Sequence, residues 1–335
     1  MSDPSPLLSV RDLAVSVVSP RGHLPILDGV SFDVPHQGAV AIVGESGSGK
    51  TMTALAVLSL LPEGASVSGS IALEGRDLLK LRESELESVR GGDIGMVFQE
   101  PSTAFDPVYT VGAQIIEALR LHRDVSRSEA RTIAIEQLRK VGMPAPEERL
   151  HSYPHELSGG MRQRALIAMA TVAGPKLLLL DEPTTALDRT IEAQVLTLID
   201  SLRRENDTSI VLVSHDLAVV AQVTEHLVVL YAGQVVERGP TRAVLDEPLH
   251  PYTQALLASI PDPSARPPRA RGERRPRLPV LRGAPPDLAS LPVGCRFAPR
   301  CEHRREACDE PIELRAQGAD RDVRCILYDE EAPDT

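Results

Sequence analysis

Eight consecutive residues constrain this chain more than any other feature: Gly44-Glu45-Ser46-Gly47-Ser48-Gly49-Lys50-Thr51, which fits G-x-x-x-x-G-K-[ST]. Upstream, Ala39–Val43 is a short apolar run of β-forming residues. Downstream, Thr51–Leu61 carries apolar residues at helical spacing and stops at Pro62. A glycine-rich turn between a strand and a helix is a phosphate cradle. Its glycines let main-chain N–H groups curl around phosphate oxygens without a Cβ clash. The helix that follows points its positive end at the same oxygens. Lys50 is placed to neutralise the β- and γ-phosphates, and Thr51 to offer a hydroxyl to Mg²⁺. From average composition, a chance match in a chain of 335 residues is on the order of one in a hundred.

The surrounding sequence alternates strands and helices. Ile94–Phe98, Leu177–Leu180 and Ile210–Val213 read as strands, the last two as fully buried ones. Ser126 and Glu129 have capping-box spacing ahead of a helix on which Ile133, Leu138 and Val141 share a face. Met161–Val172 is a further helix, and Ala232-Gly233 between Val228–Leu230 and Val235–Glu237 signals a hairpin. This alternation predicts an α/β fold around a parallel sheet. The strand Leu177–Leu180 runs into Asp181-Glu182, at the sheet edge where ligands bind. Neighbouring strand residues point in opposite directions, so the two carboxylates have separate roles. Asp181 is the candidate Mg²⁺ ligand and Glu182 the group that polarises an attacking water.

Just before that strand lies Leu157-Ser158-Gly159-Gly160-Met161-Arg162-Gln163-Arg164. It resembles the signature motif of ATP-binding cassette (ABC) ATPases, with Met161 in place of the usual Gln. Further resemblances follow in the family's order: Gln99 to the Q-loop glutamine, Ala186-Leu187-Asp188 to the D-loop, His215 to the switch histidine. The resemblance spans about Leu7 to Gly239. It implies a P-loop cassette with a RecA-like parallel-sheet core, an antiparallel β subdomain and an α-helical signature subdomain at about 100–172. It also implies a head-to-tail dimer in which Ser158, Gly159 and Gly160 of one subunit meet the γ-phosphate held by the other. ATP and Mg²⁺ are the implied ligands, with Thr51, Gln99 and Asp181 at the metal and Asp188 at the dimer's nucleotide site. Lys50, Gln99, Glu182 and His215 are the implied catalytic set, so an active ATPase is expected. A second departure from the family matters more: 17–27 holds no Phe, Tyr or Trp to stack on adenine, which leaves Arg21 or His23.

Two segments narrow the branch. Gln99-Glu100-Pro101-Ser102-Thr103-Ala104-Phe105-Asp106-Pro107 resembles the extended Q-loop of oligopeptide/dipeptide permease ATPases, and His250-Pro251-Tyr252-Thr253 the HPYT segment of the same subfamily. On its own the latter also reads as a plain helix start with Pro at the first position. The resemblance implies importer subunits for peptides, nickel or other small solutes. The implied partners are two membrane permease subunits, docking around 99–121, a second cassette ATPase of a different chain, and an extracytoplasmic binding protein reached indirectly. The place implied is the cytoplasmic face of the membrane, as a peripheral subunit. A soluble cassette that uses ATP as a conformational switch, without transport, is the alternative.

Lys plus Arg number 36 against 47 Asp plus Glu, a net charge of −11 that excludes a nucleic-acid coat. No apolar run reaches the ~18 residues of a membrane span, and the N-terminus does not read as a signal peptide. Nine prolines between Pro261 and Pro292, with six arginines between Arg266 and Arg277, mark a linker. The expected division is therefore a cassette at 1–260, a linker at 261–292 and a tail at 293–335. A solvated connector is the plain reading of the linker, and a basic strip touching lipid or a partner the sharper one. All four cysteines lie in the tail, Cys295, Cys301, Cys308 and Cys325, spaced C-x5-C-x6-C-x16-C. That is no disulfide framework and lacks the close pairs of zinc ribbons. The resembling subfamily tail holds an iron–sulfur cluster of the four-iron (4Fe–4S) type in some members. Zinc and plain thiols stay open beside it, and His303 reads as a solvated loop histidine.

Overall fold

The computed structural model describes residues 5–20, 22–99, 104–185, 187–260, 281, 283–318 and 320–328. Arg21, Glu100 to Thr103, Ala186 and most of the proline-rich segment lie outside the described residues. The chain opens with β1 (Leu8–Ser19), β2 (Gly22–Val34), β3 (Ala39–Val43), α1 (Lys50–Val57), β4 (Ser66–Leu73), β5 (Arg76–Asp77), α2 (Glu83–Val89) and β6 (Ile94–Val97). A helical region follows: α3 (Val111–His122), α4 (Arg127–Lys140), α5 (Pro146–Arg149) and α6 (Gly159–Thr171). Then come β7 (Leu177–Asp181), α7 (Arg189–Asn206), β8 (Ser209–Ser214), α8 (Leu217–Val223), β9 (His226–Tyr231), β10 (Gln234–Pro240), α9 (Thr241–Asp246) and α10 (Pro251–Ala258). The tail adds β11 (Arg315–Ala316) and β12 (Asp322–Val323).

Two sheets carry this order. The larger runs β11-β12-β10-β9-β3-β8-β7-β6, parallel from β9 to β6 and antiparallel beyond β9. The smaller, β2-β1-β4-β5, is antiparallel throughout. Alternate residues of the parallel strands enter two different cores. Ala41, Val43, Leu178, Leu180 and Leu212 pack with Ile115, Leu138, Leu166 and Ile199 from the helices. Val40, Ile42, Leu177, Leu179 and Val211 pack with Val10, Leu13 and Val30 of the smaller sheet and with Val57 of α1. Burial on both faces is why these strands are continuous apolar runs. The expected α/β cassette, with its antiparallel subdomain and helical subdomain, is the fold observed.

Local differences have local causes. Helix α1 stops at Val57 rather than Leu61, because Ser59 takes a left-handed φ of 52°. Arg90 then satisfies the carbonyls that would have continued the helix, donating from Nε to Leu58 at 2.8 Å and from Nη2 to Ser59 at 3.1 Å. Ser126 caps α4 by accepting from the Glu129 N–H at 3.2 Å. The β9–β10 turn has φ of 46° at Ala232 and 85° at Gly233, as a two-residue hairpin needs. The tail does not stand apart from the sheet: Glu237 and Arg238 of β10 pair with Val323 and Asp322 of β12. Among the described residues, no helix is long and apolar enough to cross a membrane.

Candidate nucleotide site

Strand register assembles the site. Val97 of β6 lies opposite Leu180 of β7, Asp181 opposite Val213 of β8, and Ser214 opposite Val43 of β3. The residues that follow these positions therefore leave the same sheet edge side by side: Gln99, Glu182, His215 and the loop beginning at Gly44. This is the C-terminal edge of the parallel strands, where open α/β sheets bind ligands.

The 44–51 loop is held by its glycines and by what packs behind it. Gly44 has φ 155° and a Cβ there would strike the Leu230 carbonyl and Ser48. Gly49, at φ 106°, has Leu27 where a Cβ would go. Gly47, at φ 78°, has open space beside it, so backbone freedom alone requires its glycine. Ser46 and Gly47 are exposed at the loop's rim, while Ser48, Gly49 and Lys50 are buried. Lys50 Nζ donates to the carbonyls of Gly44 and Glu45 at 2.9 and 3.0 Å. Burial lowers its pKa, against the pull of Glu182, Asp181 and Glu45, which favour the charged form.

The two carboxylates do point to different neighbours. Asp181 is buried and accepts from Thr51 Oγ1 at 3.2 Å. Burial raises its pKa, against the Thr51 hydrogen bond. Two hard oxygen donors thus meet at the loop's end, a donor set that suits Mg²⁺. Glu182 has a left-handed φ of 47° immediately after the strand. That turn swings its carboxylate to a different set of partners. Gln99 Nε2 donates to it at 3.1 Å and Thr185 Oγ1 at 2.9 Å, and His215 Nδ1 lies 3.2 Å away. Gln99, Glu182 and His215 therefore form one polar group beside the phosphate loop.

The remaining predicted residues occupy other places. Ser158 caps α6, its Oγ accepting from the Met161 N–H at 3.3 Å. Ser158 and Gly159 are exposed, and Gly160 packs on Ile191 of α7. Asp188 spends its Oδ1 as the cap of α7, accepting from Thr190 and Ile191 N–H at 3.0 Å each. His23 is exposed on β2. The Glu45 N–H is turned away from the loop's mouth and donates to Tyr252 Oη at 2.8 Å. Sequence reasoning missed this bracing. His250, fully buried, caps α10 by accepting from the Tyr252 N–H, and burial lowers its pKa to about 3. HPYT is thus both a helix start and the mount for a tyrosine that holds the phosphate loop.

The four cysteines are free and border one small, partly open cavity of about 10 Å³, together with His250, Phe297 and His303. Such a space is smaller than a four-iron cluster, so holding one would need the thiols to move apart. Burial pushes up the thiols of Cys295, Cys301 and Cys325, the last to about 11. Among the described residues, no three of the Cys, His, Asp and Glu side chains stand as the shell of a single metal ion.

Family models match the chain twice: "ABC transporter" at 27–185 and "Oligopeptide/dipeptide transporter, C-terminal region" at 236–308. The chain is 44% identical over 331 residues to the oligopeptide transport ATP-binding protein AppD of Bacillus subtilis, covering 98% of each chain. The chain belongs to the ABC transporter family, in its oligopeptide/dipeptide branch. OppD of the same organism, an oligopeptide transport ATP-binding protein, is 47% identical over 89% of this chain and 82% of its own. The ABC transporter cassette MJ0796, solved as a dimer, superposes with a TM-score of 0.63 at 27% identity, over 70% of this chain and 99% of that one. CbiO1 from Clostridium perfringens gives 0.63 at 25% identity, over 72% of this chain and 92% of its own. The cassette binds ATP and hydrolyses it.

Proposed function

We propose that this cassette drives import of oligopeptides or dipeptides, or of nickel or another small solute, through two separate membrane permease subunits. One observation carries the reading. A complete ATPase set at one sheet edge is followed directly by a C-terminal region of the oligopeptide/dipeptide type at 236–308. ATP phosphates would lie on the 44–51 loop with Lys50 as their cation, and Thr51 and Asp181, with Gln99, would hold Mg²⁺. When bound, Mg²⁺ neutralises charge on the phosphate oxygens. Glu182 accepts a proton from the attacking water, while Gln99, Thr185 and His215 hold its carboxylate in place. Exposed Ser158 and Gly159 at the start of α6 face the γ-phosphate of a second cassette, head to tail. An extracytoplasmic binding protein delivers the solute, and the cassette works at the cytoplasmic face as a peripheral subunit. The division into a cassette at 1–260, a linker at 261–292 and a tail at 293–335 belongs to the same reading.

The docking surface for the permeases lies beside Gln99. Met96, Phe98, Ala104, Leu166 and Met169 line a groove of about 210 Å³ between β6 and α6, with Phe98 40% exposed. An apolar groove that touches the strand leading to Gln99 couples what binds there to the catalytic edge. Tagged chain should co-purify two polytopic membrane proteins from detergent extracts, and Phe98→Asp should release them while ATP hydrolysis persists. A chain that purifies alone in every detergent would point instead to the soluble switch.

For the tail, we infer a four-iron cluster on Cys295, Cys301, Cys308 and Cys325. Four free thiols border one cavity, and burial makes those of Cys295, Cys301 and Cys325 costly to ionise without a cation, which supports a thiolate-bound group. His250 Nε2, buried without a full hydrogen bond, borders the same cavity. Such a cluster ties together a segment too small to bury a core of its own. Anaerobically purified protein should be brown and carry about four iron and four sulfide per chain. Cys301→Ser should lose both. One zinc per chain without iron would refute the cluster.

A further inference from the structure

The cysteine loop reaches the phosphate loop. Arg300 lies in a short turn at Ala298–Arg300, one residue before Cys301, and its side chain is 5% exposed. Its guanidinium grips Glu45 with both arms, Nη1 to Oε2 at 2.6 Å and Nη2 to Oε1 at 3.1 Å. Nη1 also donates to Tyr231 Oη at 3.2 Å, and the guanidinium lies 5.7 Å from the centre of the Tyr231 ring and 5.8 Å from that of Phe297. A second arginine beside a cysteine, Arg296, donates to the Ala232 carbonyl at 2.6 Å and pairs with Asp28. That fixes the hairpin turn whose Gly233 N–H donates to the Ser48 carbonyl at 2.9 Å. Both ends of the phosphate loop are therefore braced by the segment between Cys295 and Cys301.

Glu45 is a liability at this place. It is an acidic side chain on a loop built to hold polyphosphate, within electrostatic reach of Lys50. Its N–H is already taken by Tyr252, so its main chain offers the phosphates nothing in return. A buried, bidentate arginine is the group best suited to cancel a carboxylate and fix its direction at once.

We propose that Arg300 is a positioning residue for nucleotide binding: it neutralises Glu45 and, with Tyr252, sets the first turn of the phosphate loop, which makes the cysteine tail part of the ATP site. The inference rests on the phosphates lying on 44–51. Its test is the affinity of the full-length chain for Mg·ADP by calorimetry, with KM and kcat for ATP. Arg300→Gln should weaken Mg·ADP binding about tenfold and raise KM alike, with kcat within about twofold. Adding Glu45→Gln should recover most of that loss, because the uncompensated charge is gone. A merely structural arginine would leave the double variant as weak as Arg300→Gln, and that result overturns the proposal. So does an unchanged affinity in Arg300→Gln. If that variant fails to fold, Arg300→Lys takes its place: binding within about threefold of wild type, or a larger loss that Glu45→Gln recovers, supports the proposal, and a larger loss that Glu45→Gln does not recover overturns it. Lys50→Ala in the same titration separates the two readings. If it binds as wild type does, the phosphate-loop assignment itself is wrong, whatever Arg300 does.

Discussion

Glu182→Gln should bind Mg·ATP as well as wild type and hydrolyse it at least about a hundredfold more slowly. The substitution keeps the side chain's length and its capacity to meet Gln99 Nε2, Thr185 Oγ1 and His215, now at 3.1, 2.9 and 3.2 Å from one carboxylate oxygen. What it removes is the negative charge and the basic oxygen proposed to receive the water's proton. On the reading proposed above, binding is untouched, because it puts the phosphates on the loop and on Lys50 and not on this carboxylate. Phosphate release under single-turnover conditions measures the loss, and nucleotide retention after gel filtration measures the binding. Turnover within about fivefold of wild type would remove Glu182 from the reaction.

Lys50→Ala carries the second large effect, and in the opposite place. It should weaken Mg·ATP binding by about a hundredfold or more, with hydrolysis lost in proportion at working concentrations. Lys50 is buried, with Asp181 and Glu182 and the carbonyls of Gly44 and Glu45 around it. Without the ammonium, those carboxylates and the incoming phosphates are left with no cation at the loop's centre. Breaking a buried charge arrangement costs several kcal/mol, about 3–5 in comparable cases. Equilibrium titration with Mg·ATP reads the effect directly. Together the two variants separate binding from chemistry, since one keeps the nucleotide and stalls while the other fails to hold it.

The elements that make the site were legible because their signals are local. The glycine spacing of 44–51 and the apolar runs of β3, β7 and β8 each declare themselves within about a dozen residues. Register then does the rest, since parallel pairing of those strands leaves Gln99, Glu182 and His215 no choice but to emerge together. The smaller sheet was legible only through family resemblance. In β1 the pairing shifts between Val10 and Leu13 and again before Val15, and Asp12 turns to a φ of 47°. Those bulges break the two-residue alternation by which a strand is read. The tail gave less still. Its β11 and β12 have two residues each, too short for any period. Its contact with the phosphate loop, Arg300 on Glu45, joins residues 255 apart in sequence.

Peptide uptake coupled to this chain's own hydrolysis tests the account most directly. In cells lacking the chain, accumulation of a labelled oligopeptide should be restored by the wild-type protein and not by Glu182→Gln at equal abundance. Restoration by Glu182→Gln, or uptake of peptides and nickel that is the same with and without the chain, would contradict it.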